Sequence, residues 1–372
     1  MWKKAKDSLL FLIIAGIILV VFVVGLVLPD RDFSENENKY LAKMPDISFK
    51  TLVNGKFATD YETYVADQFL FRDEWIAAKS IAEFSLLKTE NNGVAYGSDG
   101  YMFSKFSSFD PKIAEANLNA IDTFAYNTTC EVSMVIVPSS YYVLSDKVPF
   151  GLPTVDEGFY IDEFYNYLKN SVTNADAKDS LIENSDEYIY YRTDHHWTTY
   201  GAWLAYNQFA KSNGIVPVNY DALKPVSVDG FLGTGYSKCK AFNAHSDVIT
   251  YFPELDCLSL TTNGEKHNTL YNLDQFAKRD KYSAFLFGNS SMIEIETKYS
   301  GTKRDSILII RDSYADSLVP YLTENYNKIV LVDPRYYNLS YFELSKQNFT
   351  DVLIVFGFEN LVGEKSIVKL GT

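Results

Sequence analysis

Four short runs constrain the fold of this chain more than anything else in it: residues 133–137, 306–310, 328–332 and 351–356, each an almost unbroken line of Val, Ile, Leu, Met or Phe. Runs of five or six apolar residues that alternate with helical stretches are what a parallel sheet covered on both faces produces. Helical spacing between and around them is expected over 111–124, 162–170, 198–211 and 314–325. The expectation is therefore an α/β, three-layer domain with a mainly parallel sheet. In such a sheet ligands sit at the C-terminal ends of the strands, so chemistry is sought just after each run. Residues 214–300 fit this scheme less well and read as an insertion or irregular loops.

At the N-terminus, Lys3, Lys4 and Lys6 precede an uncharged apolar run over 9–28, and Asp30, Asp32 and Glu35 follow it. Twenty residues at about 1.5 Å each span roughly 30 Å as a helix, the thickness of a bilayer core. The charge asymmetry predicts a cytoplasmic tail over 1–8 and a transmembrane signal-anchor over 9–28, with the body outside the cell. A cleaved signal peptide is the rival, but the run ends Gly25-Leu26-Val27-Leu28-Pro29 without a small-residue cleavage pattern. Residues 29–46 read as a linker and 47–91 as a small helical segment packed on the core. The main domain covers 92–372 and opens with a hairpin around Gly97-Ser98-Asp99-Gly100.

The formal net charge of −14, from 48 acidic against 34 basic residues, disfavours a nucleic-acid partner. The 28 Tyr and 26 Phe suit a carbohydrate-facing groove, though they suit an ordinary surface equally well. Cys239 and Cys257 could close a short loop, or all three cysteines could stay unpaired. No zinc-type spacing occurs, and no metal or cofactor is expected.

The densest chemical signal is Arg192-Thr193-Asp194-His195-His196-Trp197-Thr198, which holds two of the four histidines. In extended chain Asp194 and His196 point the same way, and a carboxylate beside an imidazole fixes its tautomer and stabilises the imidazolium. Thr198 reads as the cap of the next helix. A metal-binding histidine pair and two incidental histidines are the competing readings, although adjacent histidines in a strand face opposite ways. Ser313 sits where the 306–310 run gives way to a helix. Its hydroxyl is then exposed at the sheet top beside backbone N–H groups able to meet an oxyanion, although G-x-S-x-G is absent and a plain helix cap is the alternative. Gly288 and Asn289, after the run 284–287, are candidate oxyanion donors. Gly357 and Asn360 form a looser pair of the same kind, and a simple turn explains either.

These residues resemble the DHHW family, named for Asp194-His195-His196-Trp197, and through it the alginate O-acetyltransferase branch of the SGNH hydrolase superfamily. The likeness extends to Glu35-Asn36, to Asp67-Gln68-Phe69 through Arg72, to 97–103, to Arg311-Asp312-Ser313-Tyr314, to 320–322 and to 332–337. It implies an SGNH-like domain with Ser313, His196 and Asp194 as a triad. His195, Trp197, Asp312 and Asn360 are secondary candidates from the reading of the residues themselves. The implied activity is O-acyl transfer, most simply acetyl, to a cell-surface or secreted polysaccharide through an acyl-enzyme. A carbohydrate acetylesterase with the same triad and a non-catalytic glycan- or partner-binding module are the alternatives. The implied partners are a glycan acceptor and a membrane protein that delivers the acyl group, besides the membrane itself. Two departures stand out. Arg311-Asp312 replaces the usual Gly or Thr and sets a carboxylate beside Ser313, and Pro138-Ser139-Ser140 lacks a lysine common at that point.

Overall fold

A computed structural model describes residues 2–34, 39–338, 340–347 and 349–371. The chain forms two compact units, Met1–Lys88 with Lys240–Phe242, and Thr89–Cys239 with Asn243–Thr372.

The larger unit is built on eight strands: β1 (Glu131–Val137), β2 (Thr173–Asn174), β3 (Ser259–Thr262), β4 (Glu265–His267), β5 (Met292–Glu296), β6 (Arg304–Arg311), β7 (Tyr326–Val332) and β8 (Asp351–Gly357). Their spatial order is β4-β3-β5-β7-β6-β8-β1-β2. The four apolar runs are the central parallel strands β7, β6, β8 and β1, in register with Ile310 opposite both Val332 and Ile354. Their side chains alternate between two cores. Val135, Ile309, Leu331 and Val355 face one, with Phe209 and Trp197. Met134, Ile310, Val332 and Ile354 face the other, with Leu118 and Phe164.

Three helices supply the outer layers. Helix α1 (Pro111–Asn127) starts where the Asp110 side chain accepts from Lys112 N–H and Pro111 presets the first turn. Helix α2 (Glu157–Leu168) is capped by Asp156, and α3 (Thr199–Ser212) by Thr198, whose Oγ1 accepts from Gly201 N–H at 3.3 Å.

The sheet is mixed, a parallel centre with an antiparallel edge, which corrects the expected fold class. β5 runs antiparallel to β7, and β3 and β4 extend that edge antiparallel. These strands come from the segment without apolar runs. In β5 only Ile293 and Ile295 are buried, the half-buried alternation of an antiparallel edge. The helix expected over 314–325 is also corrected: a 3-10 turn, Ser313–Ser317, precedes a short helix, Val319–Leu322. Pro320 cannot donate a backbone hydrogen bond, so it fits a helix start and not an interior. All three cysteines are unbridged.

In the smaller unit, helices cover Phe49–Val53, Lys56–Asp67 and Arg72–Ser85. Buried Asp67 accepts from Lys39 Nζ at 2.7 Å and Ala42 N–H at 3.0 Å, while Gln68 Nε2 donates to the carbonyls of Arg31 and Ala42. These polar residues of the Asp67–Arg72 segment therefore tie down the chain that precedes the helices. Glu35 to Asn38 lie outside the described residues.

The N-terminal apolar run folds as a helix, Trp2–Val27. Among the described residues, however, no helix is long and apolar enough to cross a membrane. The expected anchor over 9–28 is corrected accordingly. With it go the single-pass topology, the membrane as a partner, the cytoplasmic tail and the outside placement of the body.

Candidate functional site

Ser313 follows β6 after a single residue, Asp312, at the C-terminal end of a central parallel strand. Its neighbours there are the end of β1, which leads to Ser139, and the end of β8, which leads to Gly357 and Asn360. The segment bearing the two histidines arrives from a different direction. It is fastened by Asp247, whose carboxylate accepts from Arg192 N–H, Thr193 N–H, Thr193 Oγ1 and Tyr188 OH.

Asp194 and His196 are joined by a turn, not by the expected extended strand. Asp194 Oδ1 accepts from both the backbone N–H of His196 at 2.9 Å and His196 Nδ1 at 2.5 Å. The turn also brings the His195 and His196 rings to the same side, with centroids 3.8 Å apart, where a strand would have opposed them. His196 Nε2 lies 2.7 Å from Ser313 Oγ. The structure thus strings Asp194, His196 and Ser313 into one hydrogen-bonded chain. Burial would raise the Asp194 carboxyl, but the two imidazoles and the hydrogen bonds from His196 and Thr234 hold it well below the usual carboxylate range.

Thr234 and Tyr282, which the sequence does not single out, hold this chain in place together with Trp197, a secondary candidate. Thr234 gives Asp194 Oδ2 two hydrogen bonds, from N–H at 2.7 Å and Oγ1 at 3.0 Å. The Tyr282 ring stacks on His196 at 3.9 Å, and its hydroxyl donates to Ser313 O at 3.0 Å. Trp197 Nε1 reaches Tyr314 O and Ser317 Oγ, both at 3.0 Å, and so clamps the turn after Ser313. Thr234 stands between two glycines, which hints at close backbone packing. Tyr282 carries no local signal at all.

Asp312 neither faces away nor lies free beside the serine. Its Oδ2 accepts from Gly357 N–H and Asn360 Nδ2, both at 2.8 Å, and its Oδ1 accepts from Tyr314 N–H at 3.0 Å. Complete burial pushes its carboxyl up, against those three bonds. Gly357 and Asn360 are therefore near Ser313, but their donors serve Asp312. Gly288 and Asn289 make no hydrogen bond to the chain of three; Gly288 N–H donates to Phe285 O and Asn289 is exposed. Arg311, fully buried, pairs with Asp316 at 2.9 Å.

A cavity of about 180 Å³ opens beside this chain, lined among others by His195, Thr234, Tyr314, Ser139, Glu359 and Asn360. Asp194, His195 and His196 offer donor atoms within 4.8 Å of one another, the one such cluster among the described residues. Both Nδ1 atoms and both carboxylate oxygens are already hydrogen-bonded within the site, and His196 Nε2 faces Ser313. That occupancy fits proton transfer along the chain better than a bound ion.

The larger unit is thus an α/β domain that carries these groups at the C-terminal ends of its parallel strands. The family profile described as DHHW protein matches residues 93–332, and the chain belongs to the DHHW family. A DHHW family protein from Eubacterium siraeum superposes with a TM-score of 0.64 at 24% identity, over 75% of this chain and 95% of the other. PatB1 from Bacillus cereus gives 0.58 at 21%, over 72% and 97%. The same protein with a sulfonyl adduct gives 0.61 at 20%, over 75% and 98%. No curated protein matches the chain.

Proposed function

We propose that this chain is an O-acyltransferase, most simply an O-acetyltransferase, that acts on a polysaccharide through an acyl-enzyme on Ser313. The observation that carries the reading is the hydrogen-bonded order Asp194–His196–Ser313, with 2.5 Å and 2.7 Å links at the C-terminal end of a parallel strand. An Oγ within reach of a neutral imidazole whose far nitrogen is held by a carboxylate is an activated nucleophile.

In the first half of the reaction His196 Nε2 takes the proton from Ser313 Oγ as that oxygen attacks the acyl carbonyl of an ester or thioester. The leaving group departs with the proton, and the acyl group stays on Ser313. A sugar hydroxyl then gives its proton to His196 and attacks the acyl carbon. The bond to Ser313 Oγ breaks, and the proton returns to Oγ. Water in place of the sugar gives an acetylesterase with the same residues.

Incubation of the protein with an activated acetyl ester, followed by mass spectrometry, tests the reading. An acetyl adduct on Ser313 is expected in the wild type and absent in Ser313→Ala and His196→Ala. Asp194→Asn should slow its formation by about 10⁴-fold. An adduct that survives Ser313→Ala sinks the proposal, and acetate release without any acetylated sugar moves the protein to the esterase class.

A further inference from the structure

The chain of three uses His196 and leaves His195 unexplained, although His195 lines the cavity and its side chain is 40% exposed. Its tautomer follows from its neighbours. Thr234 Oγ1 stands 3.0 Å from Asp194 Oδ2, and a carboxylate oxygen only accepts, so the threonine proton lies on that side. His195 Nδ1 is 2.7 Å from the same Oγ1 and must therefore be the donor. The proton of a neutral His195 is then on Nδ1, and Nε2, on the opposite edge of the ring, carries a bare lone pair. Although one edge of the ring opens to the cavity, the protein packed around the rest of it and the adjacent His196 ring push His195 down from its ordinary value, so it stays neutral while His196 cycles through its charged form. Tyr314 OH donates to His195 O at 2.6 Å and fixes the backbone.

We infer that His195 Nε2 recognises the acyl acceptor: it accepts a hydrogen bond from the hydroxyl next to the one that is acylated, on a sugar ring lodged in the cavity. The inference rests on the acyl-enzyme reading above. The two imidazoles lie side by side, with centroids 3.8 Å apart, so hydroxyls on adjacent carbons of one ring are close enough together to address one imidazole each. His196 takes the reacting proton, and His195 holds the neighbouring hydroxyl without removing its proton. Across the cavity the Glu359 carboxyl offers a polar group to the rest of the ring. The acceptor class is thus a pyranose with a free vicinal diol, and His195 decides between transfer and hydrolysis.

The test compares wild type with His195→Asn and His195→Gln. Asparagine keeps a donor near the Nδ1 position for Thr234 but removes Nε2; glutamine restores a polar atom near Nε2. Each protein is loaded with acetyl from an activated ester and challenged with methyl gluco-, galacto- and mannopyranosides and their monodeoxy analogues. The readouts are the Ser313 adduct and the ratio of acetylated sugar to free acetate. With the adduct still forming, the ratio should fall about tenfold in His195→Asn, recover in part in His195→Gln, and fall similarly in wild type when the vicinal hydroxyl is deleted. An intact adduct with an unchanged ratio overturns this inference alone. A ratio that drops only in proportion to lost adduct makes His195 a support for Asp194 and also overturns it, as does a wild type that acetylates none of the sugars. A wild type without any adduct brings down the acyl-enzyme reading and this inference with it.

Discussion

Asp194 accepts four hydrogen bonds, two on each oxygen, and the space around it leaves room for nothing else. A Cβ built on Gly233 would lie 2.3 Å from both Cβ and Oδ2 of Asp194, closer than atoms can approach. Gly233→Ala should therefore displace the carboxylate without emptying any core. The expected outcome is a loss of about 100-fold in the rate of Ser313 acetylation, with the thermal midpoint changed far less, measured by ester turnover alongside calorimetry. Asp194, His196 and Ser313 stand out in the sequence as candidates because their residue types sit in two short motifs, and the structure joins them by hydrogen bonds. The turn that brings Asp194 and His196 together, and that puts both imidazoles on one side, has no such local signal. Thr234 and Tyr282 were not legible because they reach the site from 40 and 31 residues away, through threonine and tyrosine side chains common elsewhere in the chain.

The four central strands were legible because burial on both faces forces an unbroken apolar run, a pattern few other structures require. β3, β4 and β5 were hidden by the opposite circumstance: one face is polar, so Glu294 and Glu296 interrupt what the eye needs. At the end of β6 the apolar rule breaks inside the core itself. Arg311 has no exposed surface and pairs with Asp316, whose carboxyl burial pushes up to about 7 against the pull of that arginine. Removing one partner strands the other charge away from water. Asp316→Ala should cost about 3–5 kcal/mol in urea denaturation, while Arg311→Met with Asp316→Leu should recover most of the loss. A single variant as stable as wild type would mean that the pair contributes nothing to holding the turn behind Ser313.

For the larger unit as a whole, the buried carboxyls set how stability responds to pH, and they pull in opposite directions. Asp194 is held below its ordinary range, so its contribution is present above that range and disappears on acidification. Glu157 behaves the other way. It is completely buried at the start of α2, it accepts from Ser139 N–H at 2.6 Å and Tyr141 OH at 2.5 Å, and burial raises its carboxyl to about 7 despite those bonds. Between about pH 4.5 and 7 the folded protein keeps this proton while the unfolded chain has released it, so the folded state binds more protons and stability falls as pH rises. The contribution is complete below about 4.5 and gone once pH has passed through 7, at roughly 1.4 kcal/mol for each unit between the two values. Glu359 and Asp312, both raised by burial, add to the same slope. Thermal midpoints measured from pH 5 to pH 8.5 should therefore decline. Glu157→Gln, which imitates the protonated side chain by keeping an acceptor for Ser139 N–H and a donor toward Tyr141, should flatten that decline and make the variant the more stable protein above pH 7. An unaltered slope in the variant would show that Glu157 is ionised in the folded state across the whole range.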